Sequence, residues 1–263
     1  MERLTVALAQ MNITLGEPAA NHAAARNWAT QAAARGADVL VLPELWTTGY
    51  DLARAGELAD ALGTGGFAEL AALARQHNIA ICGSQLARQP GRPTNTAVLY
   101  GPDGALLGSY SKIHLFGLMH EDQFLAPGEA APVVDAPWGR SALAICYDLR
   151  FPELFRSYAL RGAGVIFLPS EWPFPRLEHW RTLVRARAIE NQCFVVACNR
   201  VGSDRASHFC GHSLVVDPWG EVLAEAGEDE TLLLATLDLA LIASVRAKMS
   251  VLHDRRPELY HEG

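Results

Sequence analysis

The run Ser141-Ala142-Leu143-Ala144-Ile145-Cys146-Tyr147-Asp148-Leu149-Arg150-Phe151-Pro152-Glu153 decides how the chain folds. Its first five residues form a short apolar strand, and a proline at 152 suits the first turn of a helix. A strand therefore passes into a helix across a tight turn. The same alternation recurs on either side. Residues 4–10, 38–42, 79–85, 165–169 and 193–199 read as strands, and 19–35, 67–77 and 178–191 as helices. Residues 95–100 and 105–110 flank Gly101-Pro102-Asp103-Gly104 as a hairpin, with further strands at 212–216, 222–226 and 232–237. A last helix and an irregular tail, 251–263, close the chain. Hairpins mixed with βα units predict two mixed sheets with helices on their outer faces, a layered α/β sandwich in a single domain spanning 1–263.

Composition narrows the function classes. Half of the 263 residues are apolar and 19% are charged, enough to bury a sizeable core. No stretch approaches the ~20 continuous apolar residues of a membrane span. Glu2 and Arg3 lead straight into a strand-like run, which is not the pattern of a secretory leader. A net charge of −7 argues against nucleic acid, which requires a basic face. The five cysteines, at 82, 146, 193, 198 and 210, are odd in number, and four sit in or beside apolar runs. That usage predicts free thiols and a cytoplasmic setting.

Three chemically capable side chains stand at the ends of predicted strands. Glu44 follows Val39-Leu40-Val41-Leu42-Pro43, Lys112 follows the hairpin strand ending at Tyr110, and Cys146 follows Leu143-Ala144-Ile145. Ligand sites of α/β sheets gather at such ends. A thiol on a strand-to-helix turn lies among outward-pointing backbone N–H groups, which can receive an oxyanion. A carboxylate in a nearly closed pocket resists ionisation and becomes a usable base. A buried ammonium beside it balances charge. Spacing alone does not separate this trio from a filler thiol and two solvated rim charges.

The segments around the trio add more. Leu42-Pro43-Glu44-Leu45, Ser111-Lys112-Ile113-His114-Leu115-Phe116 and Cys146-Tyr147-Asp148-Leu149-Arg150-Phe151-Pro152-Glu153 resemble, in order, the three signatures of the nitrilase (carbon–nitrogen hydrolase) superfamily. Arg185-Ala186-Arg187-Ala188-Ile189-Glu190-Asn191-Gln192 and the stretch from Gly211-His212-Ser213 to Asp217-Pro218-Trp219-Gly220 are similar too, so the likeness spans nearly the whole chain. The resemblance implies a four-layer α-β-β-α sandwich, with Cys146 as nucleophile, Glu44 as general base and Lys112 as stabiliser of the transition state. It also implies a second glutamate after the lysine motif. Glu121 fits, since Pro127-Gly128 follows it six and seven residues on; Asp122 is the neighbouring alternative.

Within the superfamily, the Cys-Tyr-Asp-Leu-Arg-Phe string and the Pro218–Ala224 turn most resemble the ω-amidase group, which hydrolyses 2-oxoglutaramate and related ω-amides. The Ser170–Trp180 loop looks like a bacterial branch of that group. The substrate-binding candidates are Tyr147, as a backbone donor, Trp172 as an apolar wall, and Arg150 and Arg176 for a substrate carboxylate. Arg150 has a structural alternative, an ion pair with Glu153. Other activities of the superfamily, on N-carbamoyl amino acids or aliphatic amides, remain alternatives, as does an idle binding protein on the same fold. The resembled family uses no metal or other cofactor, and it assembles as homodimers or larger homo-oligomers with the C-terminal tail at the interface. His208-Phe209-Cys210-Gly211-His212 offers three metal donors but no fourth at a standard spacing. Gly63-Thr64-Gly65-Gly66 lacks the lysine of a phosphate loop and reads as a helix-start turn.

Overall fold

The computed structural model describes residues 2–260. Fourteen strands are β1 (Arg3–Gln10), β2 (Val39–Val41), β3 (Ala80–Ala87), β4 (Thr94–Tyr100), β5 (Leu106–Ser111), β6 (Val133–Ala136), β7 (Gly139–Leu143), β8 (Val165–Ser170), β9 (Phe194–Asn199), β10 (Val201–Ser203), β11 (His208–Cys210), β12 (Leu214–Val216), β13 (Val222–Glu225) and β14 (Thr231–Asp238). The α-helices are α1 (Pro18–Ala34), α2 (Ala55–Leu58), α3 (Gly65–His77), α4 (Glu121–Phe124), α5 (Pro152–Leu160), α6 (Leu177–Asn191) and α7 (Ala240–Lys248).

Twelve of the strands form two six-stranded sheets, ordered β14-β1-β2-β3-β4-β5 and β13-β12-β9-β8-β7-β6. Each has three parallel strands at its centre and antiparallel strands outside them, so both are mixed. The alternation of β1 shows why the sheets stack. Leu4, Val6 and Leu8 enter the large core shared with the second sheet, while Ala7 and Ala9 enter a separate cluster with Ala25, Ala29, Phe67 and Leu70 of α1 and α3. Helices α5 and α6 pack on the second sheet's side. The order of layers is helices, sheet, sheet, helices, as the resemblance implies.

The differences from the sequence reading are local. Strand β6 is four residues of mixed burial, with Val134 buried and Asp135 exposed, too short to register as an apolar run. β10 and β11 form a small separate hairpin. His212 lies outside β12, at φ +52°, and Cys193 precedes β9 rather than lying within it. No helix among the described residues is long and apolar enough to cross a membrane. The end of the predicted tail, 261–263, lies outside the described residues.

Topology brings the chemistry together. In the first sheet β4 runs antiparallel to β3 and β5 antiparallel to β4, so β5 points the same way as β2. Glu44, beyond β2, and Lys112, beyond β5, therefore emerge at one edge. Cys146 beyond β7 and Glu171 beyond β8 reach the same region from the second sheet.

Candidate active site

The turn after β2 is held by Ser84 of β3, whose hydroxyl accepts from Leu45 N at 3.0 Å and whose carbonyl accepts from Trp46 N at 3.0 Å. This fixes Glu44, which is fully buried. Its Oε1 accepts from Lys112 Nζ at 2.7 Å and Asn95 Nδ2 at 2.8 Å, and its Oε2 accepts from the backbone N–H of Glu171 at 3.0 Å. Lys112, also fully buried, donates a second bond of 2.7 Å to Glu121 Oε1. Glu121 Oε2 accepts from Phe116 N at 2.6 Å. The Tyr50 hydroxyl lies 2.7 Å from Glu121 Oε1 and 3.1 Å from Glu44 Oε1. Asp122, the alternative to Glu121, is exposed. Gly128 closes the segment after Glu121: its N–H donates to Lys112 O at 2.8 Å, and a Cβ there would stand 2.1 Å from Ser111 O.

Cys146 sits at φ +43°, a conformation that a non-glycine residue adopts only under constraint. The constraint is Asp148. Its Oδ2 accepts from Ile145 N at 2.8 Å and the Tyr110 hydroxyl at 2.7 Å, and its Oδ1 faces His114 N and Nδ1 at 3.2 and 2.7 Å. His114 stacks flat on Phe151, with ring centres 3.6 Å apart. Arg187 Nε donates to Leu149 O at 3.0 Å.

The titration of the site follows from burial first. Burial raises the Cys146 thiol well above its ordinary range; the Glu44 charge and hydrogen bond raise it further, while Lys112 and the Glu171 backbone oppose. The resting thiol is neutral at pH 7. Burial is also the largest influence on Lys112 and disfavours its charge, but Glu121, Glu44 and Cys146 together outweigh it, so Lys112 holds its proton more tightly than an ordinary lysine. Burial lifts Glu121 against the pull of Lys112. The arrangement thus offers a neutral thiol, an adjacent carboxylate to take its proton, and a fixed cation where negative charge develops.

Beside Cys146 a narrow cleft is lined by Phe116, Tyr147, Arg150, Trp172 and Arg176, with Glu171 at its wall. Arg150 lies over the Trp172 ring at 4.7 Å, and its Nη2 is 3.4 Å from His179 Nδ1. The ion pair of Arg150 with Glu153, the alternative for this residue, is not formed: the guanidinium packs on Trp172 instead. Arg176 lies over Phe116 at 5.7 Å, while its carbonyl accepts from Trp172 Nε1 at 2.9 Å. Among the described residues neither arginine has a carboxylate within ion-pair distance. All eight predicted site residues meet in this one region. The His208–His212 donors go elsewhere: His208 stacks edge-on with Phe174, Cys210 Sγ lies 3.1 Å from Trp172 O, and His212 Nδ1 faces Glu225 Oε1 at 2.9 Å.

Four participants escaped the sequence reading: Tyr50, Asn95, Asp148 and Glu171. Glu171 left a signal, being an acid directly after a fully buried strand. Asn95 and Tyr50 left none, since they reach Glu44 only through strand pairing and a loop.

The family model described as carbon-nitrogen hydrolase matches residues 5–247. The chain belongs to the carbon–nitrogen hydrolase family. It is 44% identical to a 2-oxoglutaramate amidase of Bacillus subtilis, over 97% of this chain and 99% of that one. An omega-amidase of Homo sapiens is 35% identical over 88% of this chain and 87% of its own. Among solved structures, a mutant of the amidase from Nesterenkonia sp. AN1 superposes with a TM-score of 0.87 at 30% identity, covering 97% of this chain and 95% of that chain; in that mutant the acetamide moiety of fluoroacetamide is covalently added at the active-site cysteine. Membership makes this chain a hydrolase of carbon–nitrogen bonds.

Proposed function

We propose that this hydrolase is an amidase that cleaves the terminal amide of a short carboxylate-bearing ω-amide, 2-oxoglutaramate first among them, to the acid and ammonia. The observation that carries the substrate class is the pair Arg150 and Arg176, lining the cleft at the thiol with no acid partner among the described residues. Guanidinium groups hold a carboxylate through paired charge-assisted hydrogen bonds, which orients a short substrate that has little else to grip. The names of the bacterial and human relatives point to the same class.

In this reading Glu44 takes the thiol proton while Sγ of Cys146 bonds to the amide carbon and the carbonyl π pair moves onto oxygen. Lys112 Nζ and a backbone N–H, that of Tyr147, stabilise the oxyanion. As the carbon–nitrogen bond breaks, Glu44 gives the proton to the departing nitrogen, leaving ammonia and a thioester. Water, deprotonated by Glu44, then releases the acid and restores the thiol. Glu121 and the Tyr50 hydroxyl hold Lys112 and Glu44 in register. The enzyme needs no metal or other cofactor, works in the cytoplasm, and pairs as a homodimer through α5 and the tail beyond 251, where Leu160, Leu259 and Tyr260 are exposed.

Ammonia release from 2-oxoglutaramate and succinamate, compared with uncharged amides of equal length, tests the assignment. A preference for the charged ω-amides that Arg176→Ala lowers about 10- to 100-fold in kcat/KM is expected for a lost charge-assisted bond. A preference for uncharged amides, nitriles or carbamoyl compounds would overturn it.

A further inference from the structure

Glu171 and Arg200 form a buried pair that the reaction above does not use. Both are fully buried, with Arg200 Nη1 donating to Glu171 Oε2 at 2.6 Å. Burying a pair of this kind is costly and contributes little net stability, so its retention beside a nucleophile calls for another reason. Its connections supply one. Arg200 Nη2 donates to Ile13 O at 2.7 Å, its backbone N–H donates to Ser170 O at 3.1 Å, and its guanidinium lies 4.1 Å from the Phe209 ring. At the other end, the backbone N–H of Glu171 donates to Glu44 Oε2 and also favours the ionised Cys146 sulfur. The next residue is pinned too, with Trp172 N donating to Asn199 Oδ1 at 2.7 Å.

We propose that Glu171 is a positioning residue: its carboxyl, anchored on Arg200, fixes the turn after β8 so that its own amide N–H holds the second oxygen of Glu44 and faces the nucleophile. Lys112, Asn95 and Tyr50 all bind Glu44 Oε1, so the Glu171 amide is the protein donor that orients Oε2. Without it the carboxylate can turn about its last bond, and the oxygen presented to the thiol is no longer defined. The side chain touches neither substrate nor reacting atom in this scheme; its effect passes through the backbone. The proposal rests on Glu44 acting as the base.

The test uses the full-length enzyme with Glu44→Gln, Glu171→Ala and Glu171→Gln. It measures ammonia release and the pH dependence of iodoacetamide alkylation at Cys146, followed by mass spectrometry of that peptide. Alkylation needs no substrate and so reads the thiol–base pair directly. Glu171→Ala is expected to lower kcat about 10- to 100-fold through misplacement of the base, with KM little changed. Its alkylation midpoint should move to higher pH, because the donor that favours the thiolate is no longer held. Glu171→Gln, which can still accept from Arg200, should recover most of both losses. If Glu171→Ala does not fold, the Gln variant still decides: a midpoint and kcat like those of the parent support the brace, and a loss as deep as that of Glu44→Gln overturns it. Parental kcat and alkylation in a folded Glu171→Ala would likewise overturn it. Should Glu44→Gln itself retain full turnover, the assignment of the base fails, which is a different result.

Discussion

A cysteine at φ +43° stores about 1–3 kcal/mol of backbone strain, which only its surroundings can maintain. The other four thiols carry no such strain and differ in kind. Burial alone lifts Cys82, and it pushes Cys193 and Cys210 up to about 12. Replacing Cys146 by Ala should therefore lower ammonia release by about 10⁴-fold or more while leaving circular dichroism unchanged. The same change at Cys82 or Cys193 should lower the melting temperature more than the rate, because it leaves a small cavity in the apolar core. Extended dialysis against a chelator should leave turnover at its starting value, since thiol and ammonium already supply what a Lewis acid would; activity restored by added zinc would contradict this. Glu171 adds a pH signature. Burial, partly offset by Arg200, raises its pKa from 4.5 to about 8, so the folded protein holds this proton more tightly than the unfolded chain. The group's contribution to stability is complete below about pH 4.5 and is lost as pH rises through about 8. Melting curves at pH 5 and pH 8.5 should fall less steeply with pH for Glu171→Gln than for the parent.

At the scale of elements, the turn between β7 and α5 depends on one carboxylate. Asp148 binds Ile145 N, the Tyr110 hydroxyl and His114 at once, tying the nucleophile's turn to the end of β5 in the opposite sheet. Asp148→Ala should cost about 2–3 kcal/mol by urea denaturation, from loss of charge-assisted bonds to a buried group, and should slow acylation as well. The strands and long helices were legible in the sequence because each repeats apolar residues at its own period, and the Glu44, Lys112, Cys146 and Glu121 positions because each sits in a recognisable local string. Asp148 stood in the quoted string too, yet its role could not be read there, since Tyr110 and His114 are 38 and 34 positions away. Asn95 and Tyr50 reach Glu44 only once β4 has paired and the loop has folded back. Strand β6 was missed for a simpler reason: four residues interrupted by the exposed Asp135 are too few to form a pattern.

Over the whole molecule, the groove between α5 and the tail is bordered by Arg156, Arg161, Glu153, Glu190, Arg255 and Tyr260. Its exposed apolar neighbours suit a second copy of the chain, and light scattering at micromolar concentration should give twice the monomer mass. A monomer there would contradict the proposed pairing. The base, the ammonium and Glu121 all precede the loop at 126–132, and the thiol follows it, while β14 returns from the far end of the chain to pair with β1 along its full length. The exposed bond between Glu129 and Ala130 thus divides the reacting groups into two complementary pieces that share a sheet. Neither piece alone can turn over an amide. Co-expressed, they should zip together through β1 and β14, and ammonia output would then report how completely the two pieces have reassembled.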